Sequence, residues 1–214
     1  MDTLKTITDR LITGQDDRVA QLTRQGLEEG LDPLEILNKG LIPGMDEVGR
    51  RFKEGEMYVP DVLIAARAMR AGMAELRPLL SQSEVPSLGT VILGTIQGDL
   101  HDIGKNLVGI MMEGAGFEVI DLGVDVSPER FVQATREHHP RIIGMSALLT
   151  VTMMGMKRVL EDLQAEGLRN SIVAMVGGAP VTQAFAQEIG ADGYSHDAVS
   201  AVETARELLD RASA

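Results

Sequence analysis

The stretch TVILGTIQGDLHDIGKN, Thr90 to Asn106, decides how the second half of the chain is read. It opens on a short β-rich apolar run, Thr90–Gly94, and leads into a helical stretch near 102–116, so it reads as strand, loop, helix. The same grammar recurs. Apolar runs at Glu118–Leu122, Arg141–Ser146, Ser171–Val176 and around Gly193–Tyr194 alternate with helical stretches near 128–138, 152–167, 181–190 and 197–211. Strand-helix alternation repeated five times predicts a five-stranded parallel sheet with helices on both faces, a Rossmann- or flavodoxin-like α/β domain. Such sheets bind ligands beyond the carboxyl ends of their strands, so the chemistry is sought in the loop after each strand.

Toward the N-terminus the period changes. Leu4, Ile7 and Leu11, then Val19 and Leu22, step by three or four, as an amphipathic helix requires. Gly14 before Asp16 and Gly30 before Asp32-Pro33 mark stops and starts, because Asp suits an N-cap and Pro the first helical position. Gly40 and Pro43-Gly44 predict another break, Lys53–Glu56 a loop, and Pro60 the start of a long helix to about Leu80. The first half is therefore a bundle of four or five helices. Ser81–Pro86, polar and ending in Pro, reads as a linker, which divides the chain into a helical domain over 1–86 and an α/β domain over 87–214.

Composition narrows the chemistry. The 214 residues are 44% hydrophobic and 24% charged, as in a soluble globular protein. Twenty Lys and Arg against 32 Asp and Glu leave a net charge of −12, which disfavours nucleic acid and anionic membranes as partners. No apolar run reaches the roughly 18–20 residues of a membrane span, and MDTLKTITDR lacks the apolar core of a signal peptide, so a cytoplasmic location is expected. The absence of cysteine removes disulfides, zinc-thiolate sites and thiol nucleophiles.

The loop after the first strand holds the densest cluster, Gly94 to Asn106. It is not a P-loop: five residues rather than four separate Gly98 from Gly104-Lys105, and Asn106 stands where the magnesium-binding hydroxyl belongs. No dinucleotide fingerprint stands there either. Of four histidines, His138 and His139 precede Pro140 at a helix end, where a cationic or polar side chain is favoured. His101 lies between Asp99 and Asp102. A metal-bound imidazole commonly donates its second ring N–H to a carboxylate, and Asp99 could accept it. The alternative is that one of the two aspartates caps the following helix and His101 is an exposed loop residue.

Asp99-x-His101-x-x-Gly104, Ser146-x-Leu148 and Gly177-Gly178, each at a strand end, together resemble the signature of domains that bind cobalamin with its dimethylbenzimidazole displaced. The first half, with Gly44–Gly49 and Val59–Ala66, resembles the helical cap of corrinoid proteins in methyltransferase systems, relatives of the cap and cobalamin modules of methionine synthase. The resemblance implies that His101 is the lower axial cobalt ligand, Asp99 its hydrogen-bond partner and Thr152 the end of the relay. It further implies that Gly98, Asp102, Ile103, Gly104, Ser146, Leu148, Thr150, Gly177 and Gly178 line the cofactor. Ser146 and Thr150 would contact the nucleotide tail, and Gly104, Gly177 and Gly178 would be small because a Cβ would intrude on it. In function, the chain would carry a methyl group on cobalt from a substrate-specific methyltransferase to one acting on tetrahydrofolate or a thiol, with a reductive activation protein as a third partner. The helical half, and above all the helix from Pro60, would shield the upper corrin face. Competing expectations are the cobalamin subunit of an adenosylcobalamin-dependent mutase, a cobalamin-based sensor, and a receiver-like interaction domain. The last is opposed by Gly94 and Ser146 at strand ends where acidic residues would be required.

Overall fold

A computed structural model describes residues 3–80 and 88–212 and divides the chain into two compact units, one helical and one α/β. The linker expected at Ser81–Pro86 lies outside the described residues.

The helical unit contains α1 (Thr3–Ile12), α2 (Asp16–Glu28), α3 (Pro33–Ile36), α4 (Ile42–Lys53) and α5 (Val59–Leu80). Ile7, Leu11, Val19, Leu22, Ile36, Leu41, Met45, Val48, Ala65 and Met69 form its buried core, so the helical stripe seen in the sequence is the packing face. Asp32 caps α3 by accepting the Leu34 amide at 2.9 Å, with Pro33 in the first turn. The break expected at Gly40 and Pro43-Gly44 is absent. The chain instead passes from α3 through a π-helical turn, Leu37–Leu41, straight into α4. Two local facts permit this. Pro43 falls in the first turn of α4, where a missing N–H costs little, and the Gly40 carbonyl accepts the Thr8 hydroxyl of α1 at 2.7 Å. Helices α2 and α5 lie side by side, with Asp16 paired to Arg67 and Glu75 to Arg24, both at 2.7 Å.

The α/β unit alternates β1 (Thr90–Thr95), α6 (Ile103–Gly114), β2 (Glu118–Asp121), α7 (Pro128–His138), β3 (Ile142–Ser146), α8 (Met154–Ala165), β4 (Val173–Gly177), α9 (Gln183–Ile189), β5 (Gly193–Ser195) and α10 (Ala198–Ala212). All pairings are parallel, in the order β2-β1-β3-β4-β5, the flavodoxin-like arrangement expected from the alternation. Its inner strands are nearly continuous apolar runs because helices cover both faces. Ile92, Ile143, Phe131, Val159 and Leu163 are among the fully buried residues of this core.

Boundaries move by a residue or two from those read in the sequence. Arg169–Ser171 is a short 3-10 turn rather than the start of β4, and α8 begins at Met154 because Leu149–Met153 forms a hydrogen-bonded turn. His138 ends α7 and His139 caps it in the left-handed conformation, as placed from the sequence.

The strand order reverses between β1 and β3, which makes their carboxyl ends a topological switch point. The register aligns Thr95, Ser146, Gly177 and Ser195 in one row across four strand ends. Small and hydroxylated side chains thus line the edge where a ligand of this fold would lie.

Candidate functional site

Three loops meet beyond β1, β2 and β3. In the first, Gly98 takes a positive φ of 84°, which turns the chain so that Asp99 points inward while Leu100 and Ile103 remain exposed. Asp99 is fully buried, an unusual place for a carboxylate, and it is completely engaged. One oxygen accepts the His101 ring Nδ1 at 2.6 Å and the His101 amide at 3.1 Å. The other accepts the Leu148 amide at 2.7 Å, the Leu149 amide at 3.2 Å and the Thr152 hydroxyl at 2.9 Å.

Burial alone would push this carboxyl upward. The Leu148 amide, the His101 ring and amide, and the Thr152 hydroxyl outweigh it and hold Asp99 well below the usual carboxylate range. Asp99 is therefore ionised and can only accept. The hydrogen of a neutral His101 ring sits on Nδ1, and the Nε2 lone pair is left for another partner. The His101 side chain is half exposed, so that nitrogen is within reach of a ligand. His101 is also held through its carbonyl, which accepts the hydroxyl of the fully buried Thr95 at 2.9 Å.

The structure brings Asp99, His101, Leu148 and Thr152 into one hydrogen-bonded cluster. Asp102 directly precedes α6; its carbonyl accepts the Asn106 amide at 2.7 Å and its carboxylate the Asn106 side chain at 3.1 Å. Asp102 is thus the aspartate that opens the helix, and Asp99 has a different task. Thr150 lies exposed in the turn between Leu148 and Thr152 and makes no bond to Asp99. Ser146 ends β3 half-buried, and its carbonyl accepts the Ile96 amide at 3.0 Å.

The glycines divide into two kinds. A Cβ on Gly104 would meet nothing within 4 Å, so the protein itself sets no size limit there. Gly178 has φ +116°, and a Cβ on it would fall 1.9 Å from the Ala147 carbonyl oxygen. Smallness at Gly178 is therefore required by the chain's own backbone, a reason distinct from the ligand clearance expected for it. Gly177 is intermediate, with the Ser195 carbonyl 3.0 Å from the Cβ position.

Sequence reasoning passed over several groups: the Leu149 amide and Thr95 hydroxyl just described, and two pairs in the second loop. Lys105, buried in the first turn of α6, donates to both oxygens of Asp121 at 2.6 and 2.5 Å. Asp125 accepts the Gly98 amide at 2.7 Å. Their only sequence signal is position, since Asp121 ends β2 and Asp125 follows it.

Around the imidazole the three loops expose Leu100, Ile103, Val124, Leu148, Leu149 and Val151, an apolar rim of the kind that marks a binding surface rather than a solvated edge. No group of three or more His, Asp or Glu side chains placed to hold a metal ion occurs among the described residues. No helix among them is long and apolar enough to cross a membrane.

Comparison with known proteins agrees with this geometry. A B12 binding domain family matches residues 89–203, and a second family, also described as a B12 binding domain, matches residues 3–77. A corrinoid protein of Desulfitobacterium hafniense is 44% identical over 214 residues, covering 99% of each chain. The dimethylamine corrinoid protein of Methanosarcina barkeri is 46% identical over 207 residues, 96% of this chain and 97% of that one. Among solved structures, the methanol:cobalamin methyltransferase complex MtaBC from Methanosarcina barkeri matches with a TM-score of 0.87 at 30% identity, over 98% of this chain and 80% of that one.

Proposed function

The chain belongs to the B12-binding corrinoid proteins of methyltransferase systems, and from that premise we propose that it holds a corrinoid with His101 as the lower axial ligand and carries a methyl group between two methyltransferases. The observation that carries the proposal is the His101 imidazole, clamped at Nδ1 by a buried, ionised Asp99 and left open at Nε2 within an apolar rim.

The residues present suit such a group. The exposed Leu100, Ile103, Val124 and Leu148 offer apolar surface to a flat macrocycle, and His101 offers one neutral nitrogen donor. The row of Ser146 and Gly177 at the strand ends carries only small side chains where the displaced nucleotide tail would lie, with Thr150 nearby in sequence. When bound, the corrinoid supplies a cobalt centre able to accept a methyl group and give it up again.

The protein's own part is control of the imidazole. Asp99 keeps the Nδ1 proton in place, which fixes the tautomer and strengthens Nε2 as a donor. The single hydroxyl hydrogen of Thr152 goes to Asp99, with the Leu149 carbonyl an alternative acceptor at 2.9 Å, so it ties the carboxylate to the third loop. Because the Thr152–Asp99 pair meets the ring only at Nδ1, its part is to hold that tautomer and leave Nε2 free to bind.

The dimethylamine and trimethylamine corrinoid proteins among its relatives, at 43–46% identity, favour a methylated amine, presented by a partner methyltransferase, as the donor. An acceptor methyltransferase and a reductive activation protein complete the proposed system, in the cytoplasm. The helical unit over 1–86 is proposed as the cap that keeps water from the upper face, and the α/β unit over 87–214 as the cofactor carrier.

The test is reconstitution with hydroxocobalamin, comparing the parent with His101→Ala. The parent should retain corrinoid, show a histidine-ligated cobalt spectrum after reduction, and accept methyl groups when supplied with a methylamine methyltransferase. His101→Ala should lose the histidine signature and most of the transfer rate. Unchanged cobalt coordination and unchanged transfer in the variant would refute the assignment.

A further inference from the structure

We propose that Asp125 is a positioning residue for the His101 imidazole, acting through the Gly98–Asp99 backbone; the inference rests on His101 being the axial ligand.

Two non-glycine residues among those described have positive φ, His139 at 44° and Asp125 at 54°. His139 ends a helix, where the left-handed conformation is common. Asp125 lies in the loop after β2, at no helix end, and a side chain held in that region needs its surroundings to enforce it.

What enforces it is the loop that bears the imidazole. The Asp125 carboxylate accepts the Gly98 amide at 2.7 Å, and the Asp125 amide donates to the Asp99 carbonyl at 3.0 Å. One residue thus clasps both ends of the Gly98–Asp99 segment. The clasp is itself anchored. The Gly123 amide donates to Asp121 at 2.9 Å, and Asp121 is gripped by the buried ammonium of Lys105. On the facing side the Thr95 amide donates to the Gly123 carbonyl at 3.0 Å and the Val126 amide to the Thr95 carbonyl at 2.9 Å.

Asp99 is consequently held twice, by different loops. Leu148, Leu149 and Thr152 fix its carboxylate, while its main chain is fixed by the Asp125 amide at the carbonyl and by the Ile96 carbonyl, which accepts the Asp99 amide at 3.1 Å. If the bond from the Gly98 amide to the Asp125 carboxylate is lost, the Gly98 end of the segment loosens while the Asp99 carbonyl, amide and carboxylate stay bonded. The direction in which His101 presents Nε2 then spreads. A carboxylate suits this post because an ionised acceptor makes a stronger bond to an amide at a wet edge than a neutral one, and aspartate tolerates the left-handed backbone.

The experiment compares the parent with Asp125→Gly, which keeps the backbone conformation without strain but deletes the acceptor, and with Asp125→Asn, which keeps both the conformation and an acceptor oxygen. In the apoprotein, amide hydrogen exchange at Gly98 should rise about tenfold in Asp125→Gly, equivalent to about 1.4 kcal/mol, and rise clearly less in Asp125→Asn, whose neutral oxygen still accepts the amide but more weakly. In the corrinoid-loaded, one-electron-reduced protein, electron paramagnetic resonance with isotope-labelled histidine reads the fraction of cobalt carrying the imidazole. That fraction should fall in Asp125→Gly, with corrinoid still retained, and recover in Asp125→Asn. If the parent shows no histidine nitrogen on cobalt, the axial-ligand reading itself fails. If the parent shows it and Asp125→Gly shows it undiminished, the positioning role is overturned, even where exchange at Gly98 has quickened.

Discussion

Asp99→Asn separates what the buried carboxylate does for the fold from what it does for the imidazole. Asparagine has the same shape but one acceptor oxygen and a donating NH2, whereas all five groups facing Asp99 are donors. Turned toward the third loop, the NH2 would confront the Leu148 and Leu149 amides, and neither can reverse its role. Turned toward His101, it confronts one amide at 3.1 Å and a ring nitrogen that can shift its hydrogen to Nε2 and accept at Nδ1. The second arrangement costs less. It also places a hydrogen on Nε2, the nitrogen proposed to bind cobalt. One amide loses its partner and the remaining bonds lose their charge, and with bonds to charged groups worth about 1.5–3 kcal/mol each, a destabilisation of about 3 kcal/mol is expected.

Urea unfolding of the apoprotein measures that cost, and the cobalt spectrum of the loaded protein measures the tautomer. The pH dependence supplies a third reading. Because the folded state depresses the Asp99 carboxyl, its contribution is complete above the unfolded-state value near 4 and is lost as pH falls from there through the lower folded value. The gap between parent and Asp99→Asn should therefore be flat from pH 7 to about 5 and narrow only below about 4. An Asp99→Asn protein within about 0.5 kcal/mol of the parent that still shows histidine on cobalt would refute the reasoning.

Two further outcomes follow from single contacts. Thr23 of α2 is fully buried and its hydroxyl has no hydrogen-bond partner, so Thr23→Val should raise apoprotein stability by about 1 kcal/mol, read as a higher urea midpoint at unchanged slope. Gly104→Ala and Gly178→Ala should act oppositely in the apoprotein: the first neutral or stabilising by up to about 1 kcal/mol, the second destabilising by at least about 2 kcal/mol through collision with the Ala147 carbonyl. If Gly104 is small for the sake of the cofactor, Gly104→Ala should weaken corrinoid retention while leaving apoprotein stability intact, and parental retention would discard that explanation.

Much of this was legible because side-chain type and position coincide in the sequence. Alternating β-rich and helical segments fixed the sheet, and the strand ends pointed to the loop carrying Asp99 and His101. Thr152 was reachable only through the family resemblance, since fifty-odd residues separate it from Asp99 and no local pattern joins them. The Leu148 and Leu149 amides bind Asp99 through the main chain, which residue identity does not encode. Asp125 and the Lys105–Asp121 pair look like ordinary surface charges until the loops are folded together. The missing break at Gly40 has the same origin. Gly and Pro there signal a stop, but Thr8 from another helix takes up the carbonyl that the π turn exposes.

The distribution of burial at the site also bears on how it can work. Asp99 is sealed, while His101, which it orients, is half exposed. The costly step of burying a charge is completed during folding, by donors from the protein alone, and does not wait for a ligand. A site assembled in this way arrives with its imidazole oriented and its tautomer chosen, so binding forfeits little ordering entropy. The same arrangement would let His101, as the proposed ligand, exchange its Nε2 partner without disturbing the carboxylate, because four of the five bonds to Asp99 do not involve the imidazole ring. The carrier role proposed for this chain would need that combination of a fixed base and a releasable ligand.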